Sequence, residues 1–140
     1  MAQKQDFILE QQATHTFIID FLNADNTARA IDKDADGNSY SQTLKFQLDC
    51  RQNITSSDHL FRLFGEINNA NLEIQLGSSS PSATPLINDR LSITFGHALT
   101  SSLDFDKGYY DLLMYLDDKS YVEILMQGTV TVNKTITKLV

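Results

Sequence analysis

The sequence predicts an all-β chain folded as a two-sheet sandwich of about seven or eight strands, with at most one short helix. Three observations lead there. Apolar and polar side chains alternate with a period of two along several stretches, the spacing of a strand with one face in water. Of the 18 acidic residues 14 are Asp, which favours turns, and only four are Glu, which favours helix interiors. Thr and Ser number 12 each, Ile 11 and Phe 8, a composition suited to pleated, half-buried surfaces.

The elements follow in chain order. Phe17, Ile19 and Phe21 share one parity, and Ile18 and Leu22 make the other apolar too, as in a strand covered on both sides. Leu44, Phe46, Leu48 and Cys50 alternate with Lys45, Gln47, Asp49 and Arg51. Leu72, Ile74 and Leu76 repeat that pattern, as do Leu91, Ile93 and Phe95. The runs Tyr109 to Leu116 and Tyr121 to Met126 are separated only by Asp117, Asp118, Lys119 and Ser120, which predicts a hairpin; Thr129 to Val132 supplies a last strand. His97 to Leu103 places Leu99 and Leu103 four apart, enough for one or two helical turns. Between these runs lie polar loops at Asn23 to Asn26 and Asp32 to Ser41. The low-complexity stretch Gly77 to Pro85 cannot bury enough apolar area to repay ordering, so a mobile excursion is expected there.

Length and charge narrow the function classes. At 140 residues the chain has the size of one domain, expected to span 1–140 with short extensions at both ends. Its net charge of −7 is the wrong sign for neutralising phosphates, so neither nucleic acid nor an anionic membrane is an expected partner. No apolar run approaches the roughly 18 residues of a spanning helix, and the start MAQKQDF lacks the layout of a signal peptide; synthesis in the cytoplasm is expected. Cys50 stands alone and on the apolar parity of its strand, which predicts a small buried hydrophobe.

Several residue groups are candidates for chemistry. Asp32-Lys33-Asp34-Ala35-Asp36-Gly37 matches the first half of a calcium loop, where alternate carboxylates converge on a hard cation and Gly permits the turn. Position twelve, however, is Thr43 instead of the bidentate Glu, and an acidic hairpin tip is the competing reading. His15, His59 and His97 are scattered outside any nucleophile-elbow or H-E-x-x-H arrangement, Asp58-His59 suits a turn or cap, and a Ser near a His means little in so Ser-rich a chain, so no catalytic residue is assigned. Tyr109, Tyr110, Tyr115 and Tyr121 cluster in sequence. Tyr110 suits a buried corner position, whereas for the other three structural packing and an exposed sugar- or protein-binding face stay equally open. Asn53-Ile54-Thr55 and Asn133-Lys134-Thr135 are sequons that, without a secretory leader, carry no expected glycan. No cofactor and no metal is assigned.

The ordered set of pieces resembles a known family. Arg90 to Thr131 strings together the alternating Leu91 to Phe95, the turn Leu99 to Leu103, Gly108 with Tyr109 and Tyr110, and the ending Gly128-Thr129-Val130-Thr131-Val132. This is similar to the C-terminal half of the immunoglobulin-like domain of bacteriophage virion proteins. Phe7-Ile8-Leu9-Glu10-Gln11 before Thr16-Phe17 resembles that family's opening, with Gln12 where Gly is usual, and Ala30-Ile31-Asp32 resembles its short second strand. The resemblance implies an immunoglobulin-like sandwich with a non-enzymatic structural role as a head decoration or a tail, neck or baseplate component. It further implies location in the virion, capsid or tail proteins as partners, and many copies in a symmetric assembly. The mostly polar ends, Met1 to Asp6 and Thr135 to Val140, are expected to reach neighbours by adding a strand to an exposed edge. The alternative is a ligand-binding module that recognises host-surface carbohydrate or calcium.

Overall fold

A computed structural model describes residues 2–136. Nine strands and one short helix follow in order: β1 (Gln3–Lys4), β2 (Phe7–Glu10), β3 (His15–Asp20), β4 (Leu44–Arg51), β5 (Phe61–Glu66), β6 (Ile74–Gly77), β7 (Arg90–Phe95), α1 (His97–Ser102), β8 (Lys107–Leu116) and β9 (Val122–Asn133). The strands form one curled sheet in the order β1-β9-β8-β4-β5-β6-β7-β3, with β2 also paired to β9. All-β with a single short helix is therefore the observed class.

Alternation explains the strands that carry the sheet. In β4 every second residue from Leu44 to Cys50 is buried and the residues between them are half-buried; β8 repeats this from Tyr110 to Leu116. The β8–β9 hairpin forms as expected, but β9 runs unbroken from Val122 to Asn133 and absorbs a register shift opposite Leu112 and Leu113. A bulge lets one long strand keep its apolar side chains inward on both sides of the irregularity.

The sheet curls because the chain start serves both of its ends. β2 lies parallel to β9, and five residues later β3 lies antiparallel to β7 at the other end of the strand order. Phe7 of β2 consequently meets Phe17 of β3 at 4.7 Å between ring centroids, Phe95 of β7 at 5.5 Å and Tyr110 of β8 at 5.1 Å. These rings sit within one buried apolar cluster to which β2, β3, β4, β5, β6, β7, β8 and β9 all contribute. Continuity between β5 and β6 rests on one parallel residue pair, Gly65 with Ile74. A Cβ on Gly65 would lie 2.6 Å from the Ile74 carbonyl oxygen, so only glycine lets the two backbones come that close.

Buried polar groups fasten the connections. Gln11 Nε2 donates to the Leu103 carbonyl and Thr100 Oγ1 to the Ala13 carbonyl, tying α1 to the β2–β3 turn. Asp89, 2% exposed, accepts from both the amide and the hydroxyl of Ser79. The root of the Gly77 to Pro85 excursion is thus fixed, although residues 79–85 are largely exposed.

Four expectations are corrected. The strand at Phe17 to Leu22 is covered on one face only: Ile18 is 58% exposed, and Thr16 and Asp20 on the same face are exposed too, because the apolar cluster lies on the side of Phe17 and Ile19. Ala30 to Asp32 is not a strand; this stretch holds only isolated bridges at Leu22–Ala28 and Lys33–Ser39. The alternation from Leu72 yields strand pairing only from Ile74 onward. Of the expected arm Met1 to Asp6, Met1 lies outside the described residues and residues 3–6 are not free, since Gln3 and Lys4 already pair with Met126 and Gln127 of their own β9. In the other extension, residues 137–140 lie outside the described residues.

Candidate functional site

The sequence-predicted candidates do not assemble. Asp34 Oδ1 accepts the amides of Asp36 and Asn38, each at 2.9 Å, and Asp32 Oδ2 accepts from Asn88 Nδ2 at 3.0 Å. Gly37 adopts φ +81° and its amide returns to the Asp34 carbonyl. The Asp32 to Gly37 segment is accordingly a small hairpin tip closed by its own side chain. Among the described residues no three carboxylate, imidazole or thiol groups come together as a metal ion would need. His15 Nε2 accepts the Glu10 amide at 2.8 Å, and His59 and His97 lie exposed in separate places. Cys50 is fully buried, and burial pushes its thiol up to about 12, far from reactive thiolate.

The four tyrosines separate into different roles. Tyr110 is buried, and its hydroxyl donates to the Gln5 carbonyl, holding the chain start against β8. Tyr121 stacks on Tyr40 at 5.5 Å and donates to Glu123, whose carboxylate also takes Arg29 at 2.7 Å. Burial opposes ionisation of Glu123, but the Arg29 and Tyr121 hydrogen bonds outweigh it and hold the carboxyl below its ordinary value. Tyr109 and Tyr115 point outward from β8, on the face away from the core.

That outer face is where the remaining chemistry gathers. Strand register sets one polar row across five strands: Arg62, Asp49, Asp111, Gln127 and Lys4. Asp49 is fully engaged, accepting from Arg62 Nε at 2.9 Å, Gln47 Nε2 at 3.0 Å and Arg51 Nη2 at 3.3 Å. The carboxylate of Asp111, half-buried beside it, has no hydrogen bond or ion pair with another side chain among the described residues. Burial first, and the neighbouring Asp49 charge second, raise its carboxyl above the ordinary value, with Arg51 working the other way.

A cleft of about 420 Å³ opens beside this row, lined by Lys4, Asp6, Arg51, Asn53, Tyr109 and Asp111 among others. Asp6 forms its wall by accepting the Thr129 amide at 2.9 Å, a bond that holds the carboxyl below its ordinary value. Toward the hairpin turn the same face becomes apolar. Phe64 is 43% exposed, Ile124 44% and Val122 53%, with half-buried Leu113 and Tyr115 between them.

Sequence reading placed Asp49 and Arg51 on the wet side of their strand but passed over Asp111 and Phe64. The signal was present in Asp111, a lone acid at the same parity as Tyr109, Leu113 and Tyr115.

No protein-family model matches the chain, and no curated protein matches it. Among the described residues no helix is long and apolar enough to cross a membrane.

Proposed function

We propose that this chain is a non-enzymatic attachment module: an immunoglobulin-like sandwich that joins other proteins of a bacteriophage particle as a head decoration or a tail, neck or baseplate component. The observation that carries the attachment role is the outer face of β5, β4, β8 and β9. There a rigid sheet exposes Phe64, Ile124 and Val122, ringed by charges of both signs. Exposed apolar side chains set among charged ones, here with Gln47 between Phe64 and Leu113, suit a protein-binding surface.

Three features support the sandwich reading. The single bridge at Gly65 divides the strand order into β6-β7-β3 and the remaining strands, a division that two layers would need. The chain start crosses between layers, β2 parallel to β9 and β3 antiparallel to β7. Gln12, at the position where the resembled family carries Gly, has φ 71°, a conformation that favours glycine. A phage role follows only from the family resemblance, which is an analogy of fold.

The test is quantitative mass spectrometry of gradient-purified phage particles whose genome encodes this chain. A fixed copy number relative to the major capsid protein is expected, reduced when Phe64 and Ile124 are both changed to Lys. Absence from intact particles overturns the reading.

A second reading, carbohydrate recognition, is favoured by one observation: Tyr109, 42% exposed, sits on the cleft beside the unpaired Asp111. A glycan array separates the two, because sugar binding abolished by Tyr109→Ala supports recognition and an empty array removes it.

A further inference from the structure

We infer that the outer face of β5, β4, β8 and β9 pairs with the same face of a second copy, across a two-fold axis that lies in the interface at right angles to the strands. The inference rests on the attachment reading of that face and names its partner.

The charge pattern carries it. The central row across the four strands is Phe64, Gln47, Leu113 and Ile124, apolar but for Gln47, and is called the apolar row below. On one side of it lies the row Arg62, Asp49, Asp111, Gln127, and on the other the row Glu66, Lys45, Tyr115, Val122. Rotation about an axis along the apolar row lays each strand antiparallel on its own copy and exchanges the two flanking rows. Arg62 then faces Glu66 of the second copy, Asp49 faces Lys45, and Asp111 faces the Tyr115 hydroxyl. Every charged position on this part of the face meets an opposite charge or a hydrogen-bond donor, and the apolar row meets itself.

The other in-plane axis, parallel to the strands, fails. It would set Asp49 against Asp111 of the second copy, a like-charge pair that carries a penalty on approach. The selected arrangement also gives a donor to Asp111, whose carboxylate has no other side chain bonded to it among the described residues, and a cation to Glu66, which has no ion pair among them. Charge balance favours a like partner as well. The chain carries −7 overall, but the two flanking rows hold two cations against three acids, so this face approaches its copy with little of the repulsion that other surfaces would meet.

The contact is small. Four strands about 4.8 Å apart and five residues of about 3.3 Å each give a footprint near 300 Å². That is well below the roughly 800 Å² per partner of a tight complex, so association in the range of about 10 to 500 μM is expected. In a symmetric assembly, effective concentration makes such a contact firm.

Sedimentation of the full chain between about 10 μM and 1 mM tests this. Reversible monomer–dimer exchange is expected, weakened at least about tenfold by Ile124→Lys. Arg62→Glu should weaken it about fivefold by opposing Glu66, and so should Glu66→Arg by opposing Arg62. The double swap should restore it to within about threefold, since each new charge then meets its opposite. Circular dichroism melts identify any variant that fails to fold, and either single swap serves if the other does. A chain monomeric at 1 mM, a dimer indifferent to Ile124→Lys, or a double swap as weak as the singles overturns the inference. The outcomes stay distinct from the attachment reading: a monomer that is still found on particles removes only the dimer, whereas a dimer missing from particles removes the attachment.

Discussion

Tyr110 connects two parts of the chain that the sequence sets 105 residues apart. Its ring packs against Phe7 in the core while its hydroxyl reaches the Gln5 carbonyl, and burial raises the phenol above its ordinary value, so the donor proton is retained at physiological pH. Tyr110→Phe keeps the packing and removes the bond. A loss of about 1 to 2 kcal/mol in urea unfolding is expected, with faster amide exchange at Gln3 and Lys4. Asp111 gives a prediction of opposite sign. Its carboxyl is raised in the folded state, so folding favours the protonated form, and the penalty is fully present only above the folded value. Asp111→Asn should therefore raise the melting temperature at pH 7 and leave it nearly unchanged at pH 3, when the wild-type carboxyl is itself neutral. Calorimetry at the two pH values checks the sign. Neither role follows from residue type, because each depends on what the register brings alongside.

At the scale of elements, Gly128 decides how the chain start lies. A Cβ there would come within 2.1 Å of the Gln5 carbonyl oxygen, at the crossing between β1 and β2 over β9. Gly128→Ala should lift residues 3–6 off the sheet, seen as new proteolytic cleavage near Lys4 in a chain whose β4, β8 and β9 remain protected. The elements differ in how readable they were. β4, β7 and the β8–β9 hairpin were legible because one wet and one dry face impose strict alternation. β5 was not, since Phe64 places a large apolar ring on the outer face and Gly65 follows it, breaking the pattern that Phe61 and Leu63 begin. β1 was hidden because two residues in a parallel ladder carry no period, and their partner is far along the chain. α1 was legible in place and length from Leu99 and Leu103.

For the whole molecule, alternation told of an all-β chain but not of the order in which its strands join into one curled sheet. The Gly65–Ile74 bridge is the point where that order is weakest, and Gly65→Ala pushes a methyl into the Ile74 backbone. A loss of about 1 to 3 kcal/mol is expected by chemical denaturation, with exchange rising first in β6. The outer face was half legible: the wet parity of β4 showed in the sequence, but the symmetry of its two flanking rows exists only once β5, β8 and β9 are registered against it.

The anchoring of Ser79 by Asp89 has a practical consequence. Because both the amide and the hydroxyl of Ser79 end on one buried carboxylate, the polypeptide from Ser80 to Pro85 leaves and returns through a clamped neck. A short epitope tag spliced between Ser80 and Ala83 should be displayed without disturbing the curled sheet behind it, giving an unchanged melting temperature and full antibody capture. The same splice in a chain carrying Asp89→Ala should melt several degrees lower, since the neck would then be free to open and carry its disorder into β6 and β7.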